Sequence, residues 1–174
     1  QEDWVYQESA DPILYGGIQN SFYYKNFKLG MYWAYSIGGK IYNYGEFYQA
    51  GGINTNQFRY MLNSWHPERN PESNIPRAGY TDVSLPSDFM IHDASYLRFK
   101  NISLGYTLDL GKKWKNGIKD ITFTFAAENV YLWKNYNGFD PDVSSEGTSS
   151  TLRRVDLGAY PKPRTFTFSV QVRY

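Results

Sequence analysis

The stretch Thr165-Phe166-Thr167-Phe168-Ser169-Val170-Gln171-Val172-Arg173-Tyr174 alternates without a break. Phe166, Phe168, Val170, Val172 and Tyr174 take one side, and Thr165, Thr167, Ser169, Gln171 and Arg173 take the other. Successive side chains of an extended chain point to opposite faces, so this period of two predicts a β-strand with one apolar and one polar face. Working back from it, Ile121 to Lys134 sets Ile121, Phe123, Phe125, Ala127, Tyr131 and Trp133 against Thr122, Thr124, Glu128 and Lys134. Asn129 is the one misfit on its apolar side. Phe27 to Ile37 aligns Phe27, Leu29, Met31, Trp33, Tyr35 and Ile37 against Lys28, Gly30, Ala34 and Ser36. In Ser95 to Leu108, Ile102, Leu104, Tyr106 and Leu108 share one parity while Leu97 and Phe99 hold the other. A bulge near Lys100-Asn101 would restore the face. Ile18 to Lys25 reads as a shorter, weaker strand, and Gln57 to Trp65 as a short helix.

The connections alternate in length. Lys25-Asn26 is a tight turn, 38–94 is long with Gly38-Gly39, Gly51-Gly52 and four prolines (Pro67, Pro71, Pro76, Pro86), 109–118 is short with the turn signal Asn116-Gly117, and 135–163 is long again. Short turns at one end and elaborate loops at the other are the layout of an outer-membrane barrel. Lengths agree. A strand rising about 3.3 Å per residue and tilted about 40° climbs roughly 2.5 Å per residue, so an apolar band about 25 Å tall takes about ten residues. With Ile121 at the lower edge, Tyr131 and Trp133 reach the upper interface, and Tyr174 ends in the lower girdle. About five strands counted back from a periplasmic C-terminus place both long loops outside. A soluble β-sandwich, such as a secreted carbohydrate-binding module, uses the same alternation and stays open at this level.

Composition narrows the function classes. The chain has 174 residues, 18 Lys plus Arg against 17 Asp plus Glu, and a net charge of +1, which argues against a nucleic-acid binder. It has no cysteine, so no disulfide framework, thiolate zinc site or Cys nucleophile. Mean hydropathy is −0.59 and no apolar run approaches the length of a membrane-spanning helix. Its apolar mass lies in rings, 17 Tyr, 11 Phe and 5 Trp, many with a polar handle suited to an apolar–wet boundary. The opening Gln1-Glu2-Asp3-Trp4, without Met, reads as a chain processed or cut from a longer one.

Three stretches resemble a known family. Asp93-Ala94-Ser95-Tyr96-Leu97-Arg98-Phe99-Lys100-Asn101-Ile102-Ser103-Leu104-Gly105-Tyr106 is similar to the "DASYLRLKNITLGY" stretch of the SusC/RagA family of TonB-dependent outer-membrane transporters. Glu128-Asn129-Val130-Tyr131-Leu132-Trp133, with Tyr136, Gly138 and Asp140-Pro141-Asp142, resembles its "xENLFxxTxYxGxDPE". Gly158 to Phe168 resembles the "YPxPRTFTFGLxxxF" ending. The resemblance covers residues 11–174; Asp142 stands for the usual Glu, Ser169 for Gly and Tyr174 for the commoner Phe. It implies an all-β fold: residues 1–174 as the C-terminal part of a large antiparallel transmembrane barrel, 22-stranded in the family, with long extracellular loops and with plug and TonB box outside this chain. It implies import of oligosaccharides or peptides at the outer membrane of a Gram-negative, Bacteroidetes-type cell. The partners implied are the remainder of the barrel, a SusD-like lid lipoprotein, the TonB complex through the plug, the barrel assembly machinery and outer-membrane lipid. A passive porin remains an alternative.

The residues that could carry chemistry are few. His66 and His92 are far apart and read as loop residues, so no catalytic triad, no cofactor and no enzyme activity is expected. Asp140 and Asp142 put hard oxygens two residues apart and are weak calcium candidates, but nothing completes a site of six to eight oxygens, and a turn is the plainer reading. Arg153-Arg154 reads as a solvated basic pair. Tyr44, Tyr48, Trp65, Tyr136 and Phe139 are candidate contacts for cargo or lid, since rings anchor interfaces. Phe166, Phe168, Val170, Val172 and Tyr174 are, by the resemblance, the signal read by the assembly machinery. Residues 143–154 belong to no membrane strand, so their deletion is expected to weaken lid association or cargo uptake while leaving barrel assembly intact.

Overall fold

A computed structural model describes residues 5–50, 54, 56–79, 87–111, 117–145 and 153–174. Gly51, Gly52, Pro86 and Asn116, singled out above, lie outside them. The chain divides into two units, one of residues 14–37, 95–134 and 162–174, the other of residues 1–13, 38–94 and 135–161.

The first unit is one antiparallel sheet of five strands: β1 (Leu14–Tyr24), β2 (Phe27–Ile37), β5 (Tyr96–Asp109), β6 (Asp120–Lys134) and β8 (Thr165–Arg173), in the spatial order β1-β2-β5-β6-β8. Each strand pairs with the next in an unbroken meander, as the alternation predicts. Cross-strand partners share a face, and the register aligns Phe22, Leu29, Leu104, Phe125 and Phe168 in a single row across all five strands. The next row is Ser21, Gly30, Ser103, Ala126 and Thr167, on the opposite face. One face is rings and aliphatics; the other is hydroxyls, glycines and scattered charges.

The expected bulge is present, and its form explains Asn129. Tyr32 pairs with Asn101 but Trp33 pairs with Phe99, so Lys100 is an extra residue of β5 relative to β2. Across the next ladder Asn101 pairs with Glu128 and Phe99 with Tyr131, so Asn129 and Val130 together oppose that single lysine. Each strand in turn gains one residue. β6 therefore carries two more than β2, an even number, and both keep a clean alternation while β5 alone slips phase. Asn129 does not belong to the apolar face: it takes φ 51°, a left-handed conformation in which Asn is favoured among side-chain-bearing residues. Its amide donates to the Pro163 carbonyl at 2.9 Å.

β1 is longer than the sequence suggests. Gly16 and Gly17 hide its alternation, yet both are strand residues. A Cβ on Gly16 would meet the Tyr35 hydroxyl at 2.9 Å, and one on Gly17 the Tyr32 hydroxyl at 2.6 Å. Two tyrosines of β2 thus lie over the glycine pair and supply the packing it lacks. The β1–β2 turn puts Lys25 at φ 50°.

The second unit gives the long connections structure of their own. β3 (Lys40–Asn43) pairs antiparallel with β4 (Ile91–Asp93) and parallel with β7 (Val155–Asp156). A six-residue helix, α1 (Tyr44–Gln49), follows β3, capped by the Asn43 carboxamide oxygen accepting from the Gly45 N–H at 3.1 Å. Short 3-10 turns cover Arg59–Asn63, inside the predicted helix, and Asp88–Met90. The apolar centre is small: Ile41, Ala94 and Tyr136, with Val143 against them. No described helix is long and apolar enough to cross a membrane.

Asn129 yields a test. Asn129→Val forces a branched side chain into the left-handed region and should cost about 1–2 kcal/mol or more. Asn129→Gly keeps the backbone and loses only the amide bond, about 0.5–1.5 kcal/mol. Denaturant midpoints of the two variants should fall in that order.

Candidate functional site

The second unit is organised around acids rather than a large apolar core. Glu46 on α1 is 1% exposed, and its two oxygens are divided between two donors. The Tyr60 hydroxyl donates to Oε1 at 3.0 Å, and His92 Nε2 lies 2.6 Å from Oε2. His92 is a residue of β4 rather than of a loop, and its ring centroid is 5.8 Å from that of Tyr136. Asp156 on β7 accepts the Tyr136 hydroxyl at 2.7 Å on Oδ2, and the N–H groups of Gly158 and Ala159, both at 2.9 Å, on Oδ1. Buried carboxylates persist only when their lone pairs are filled in this way. Loss of water pushes both the Tyr60 and the Tyr136 hydroxyls well above the ordinary 10.0. The Glu46 charge and hydrogen bond add to the first, and the Asp156 hydrogen bond and charge to the second.

Rings line α1. Tyr44 stacks on Phe47 at 5.1 Å between centroids and meets Tyr48 edge-on at 5.1 Å, with Tyr42 5.9 Å from Tyr44. The Tyr42 hydroxyl donates to Met90 Sδ at 3.1 Å. The Tyr44 hydroxyl is held above its ordinary value, first by its hydrogen bond to Tyr48 and then by the proximity of that second phenol. Glu46 is buried on the same helix and ties it to Tyr60 and His92. It had no signal in the sequence, where it is one acid among tyrosines.

The rings expected to meet cargo or lid separate here. Tyr48, Phe139 and Trp65 are exposed, Trp65 the least of the three, and Tyr44 is partly so. Tyr136 is corrected: at 2% exposure it is a core residue, its hydroxyl committed to Asp156. Trp65 belongs to a turn, donating from Nε1 to the Pro71 carbonyl at 3.0 Å. His66 caps that turn, its Nδ1 accepting the N–H groups of Glu68 and Arg69 at 3.2 and 3.3 Å.

Asp140 is buried and its Oδ1 accepts the Asp142 N–H at 2.9 Å, the geometry of a turn-locking carboxylate. Among the described residues no group of three or more His, Asp or Glu is placed to hold a metal ion. Arg153 is exposed and ion-paired at the surface. Its Nη1 bonds both carboxylate oxygens of Asp11, at 2.9 and 3.0 Å. The Arg154 carbonyl accepts the Tyr42 N–H at 2.9 Å, and Val143 packs on the apolar centre. Deleting 143–154 would therefore remove contacts that shape this unit while touching none of the five strands of the first sheet; residues 146–152 of that stretch lie outside the described ones.

No protein-family model matches the chain. It is 30% identical to the TonB-dependent receptor P3 of Formosa agariphila over 91% of its length, and 30% identical to TonB-dependent receptor P26 of the same organism over 99%. It is 25% identical to the TonB-dependent receptor SusC of Bacteroides thetaiotaomicron over 99%. The chain spans only 16–18% of these relatives' own length. Among solved structures it is similar to the RagAB peptide transporter, with a TM-score of 0.77 and 25% identity over 96% of this chain and 18% of that one. The same importer in its open-open state gives a TM-score of 0.78.

The buried tyrosines fix an alkaline response. With the folded-state values of Tyr60 and Tyr136 raised, their contribution is full below 10.0 and declines as the pH rises from there, because the unfolded chain releases those protons first. Each should lower stability by about 1.4 kcal/mol per pH unit above that point. Tyr136→Phe should flatten the slope, read from denaturant midpoints at successive alkaline pH values. A slope unchanged by the substitution would contradict this.

Proposed function

The chain belongs to the SusC/RagA family of TonB-dependent receptors, its five-stranded sheet forming part of their β-barrel, and from this premise we propose that it works as part of an outer-membrane importer driven through TonB. The observation that carries the reading is the pair of faces running unbroken across five strands. Phe166 and Phe168 are 63% and 67% exposed in the sheet, with Phe27, Leu104, Phe125 and Val170 also bare. A face of this size and composition needs an apolar medium. Its strands of 9 to 15 residues match the thickness of an outer-membrane hydrocarbon layer. The other face, with Ser103, Thr107, Thr122, Thr124, Thr167 and Gln171, suits a wet or protein-filled interior. A sandwich would need a facing sheet of similar size. The second sheet, with strands of two to four residues, is too small for that role.

In this reading residues 1–174 are the C-terminal part of the barrel, and β8 supplies the strand recognised by the assembly machinery, through Phe166, Phe168, Val170, Val172 and Tyr174. β2 leaves the sheet at Ile37, β5 enters at Tyr96, β6 leaves at Lys134 and β8 enters at Thr165, and the register brings these to one end of the sheet. That end is the extracellular one. The long connections there serve cargo and a SusD-like lid lipoprotein, and the exposed rings Tyr48 and Phe139 are the contacts we propose. Cargo is an oligosaccharide or a peptide; the similar RagAB structures are of a peptide importer. The relatives it matches are named as receptors, which supports a transport role.

Two experiments test this reading in the complete receptor. Phe168→Arg places a charge near mid-depth in lipid and should cost about 2–4 kcal/mol, whereas Thr167→Arg, one residue away on the interior face, should cost little. Equal losses of assembled barrel would sink the membrane assignment. Tyr48→Ala and Phe139→Ala should reduce co-purification of the lid lipoprotein or cargo uptake without changing the amount of barrel in the membrane. Retention of both would remove these rings from the contact surface.

A further inference from the structure

Period two forbids β8 from slipping by one residue, because every ring would turn to the polar face. It does not forbid a slip by two. On the polar face β6 offers Thr122, Thr124 and Ala126 to Gln171, Ser169 and Thr167 of β8. Sliding β8 by two residues replaces these pairs with Thr122–Ser169 and Thr124–Thr167, or with Thr124–Gln171 and Ala126–Ser169. Every one of these pairs sets a small or uncharged polar side chain against another, so none is excluded by charge or bulk. The apolar face is equally indifferent. Ile121, Phe123, Phe125 and Ala127 oppose Val172, Val170, Phe168 and Phe166, all of them exposed on the β8 side, so a shifted set still presents apolar to apolar. At the centre of this ladder only the stack of Phe125 on Phe166, 6.2 Å between centroids, distinguishes one even register from another.

The two ends do so more sharply. At one, Asp120 lies opposite Arg173 and the two form an ion pair, with the Asp120 side chain 12% exposed. Asp109 of β5 is the cross-strand partner of Asp120 on its other side. Two carboxylates directly opposed repel, and Arg173 is the cation that offsets them. Slipped one way, Asp120 faces Gln171 and keeps its repulsion from Asp109 without a partner; slipped the other, Arg173 faces Thr122. At the far end the Asn129 amide reaches the Pro163 carbonyl at 2.9 Å, and any slip moves that carbonyl away. Only the pairing that satisfies both ends at once is the observed one.

We infer that the Asp120–Arg173 ion pair and the Asn129–Pro163 hydrogen bond are a two-point register lock that selects one pairing of β8 on β6 from a set that alternation leaves nearly equivalent. This follows from the sheet itself and stands whatever the cargo or the lid.

The test is register-specific cross-linking in the complete receptor. Thr124→Cys with Ser169→Cys reports the native register, since those residues are directly opposite. Thr124→Cys with Thr167→Cys, and Thr124→Cys with Gln171→Cys, report the two slipped ones, because a diagonal pair is too far apart to bridge. With both ends intact only the native pair should oxidise. Combined with Arg173→Gln and Asn129→Gly, the slipped pairs should rise several-fold at the expense of the native one. Native cross-linking alone, undiminished in that background, would overturn the lock. Should the doubly weakened receptor fail to assemble, Asp120→Arg with Arg173→Asp decides. The exchanged pair should restore assembly and native cross-linking that each single substitution loses, and failure to restore them would also overturn it.

Discussion

Everything on the sheet depends on keeping five strands in phase, so that one face stays apolar from β1 to β8. A single inserted residue reverses the facing of all that follows. Lys100 is such an insertion, and Asn129-Val130 opposite it compensates on the next strand. Without that compensation the rings on one side of the bulge would cross to the polar face. Trp33, Phe99 and Tyr131 instead line up in one row, with Trp33 and Phe99 stacked at 4.1 Å. The local cost is the left-handed backbone at Asn129, which its bond to Pro163 helps to offset.

The second unit solves a different problem with different means. Among its described residues the buried apolar cluster is only Ile41, Ala94 and Tyr136, with Ala50, Met61 and Met90 buried apart from it. Definition comes from buried acids, each satisfied by named partners: Glu46 by Tyr60 and His92, Asp156 by Tyr136 and two backbone N–H groups, Asp140 by the backbone of Asp142. Fully satisfied polar networks specify geometry more sharply than aliphatic contacts do, because directional bonds tolerate little displacement. Such a network can present a cluster of aromatic side chains at a fixed place.

The same chemistry accounts for the division of aromatic residues. In the sheet they gather on one exposed face, where their area and amphipathic character suit an apolar–wet boundary. In the second unit they serve as hydroxyl donors, as in Tyr60 and Tyr136, or as exposed surface, as in Tyr48 and Phe139. One residue type thus does three jobs, and composition alone could not apportion them. Tyr136 shows this: its motif marked it as a ring in a loop, and only the Asp156 carboxylate beside it makes it a core residue.

Strand alternation was legible from Phe27, Phe123 and Phe166 onward because facing is a local property, set by the geometry of the extended chain one residue at a time. The bulge was legible for the same reason, as a change of parity between Phe99 and Ile102. The family was legible because three stretches carry its wording. What alternation could not convey was long-range pairing: that Asn129 is an answer to Lys100, that Gly16 and Gly17 are strand residues covered by Tyr35 and Tyr32, and that Glu46 meets His92 46 residues away. Each of these needs two distant segments to be placed side by side. A local pattern holds no record of that, and folding alone brings such partners within a hydrogen bond's reach.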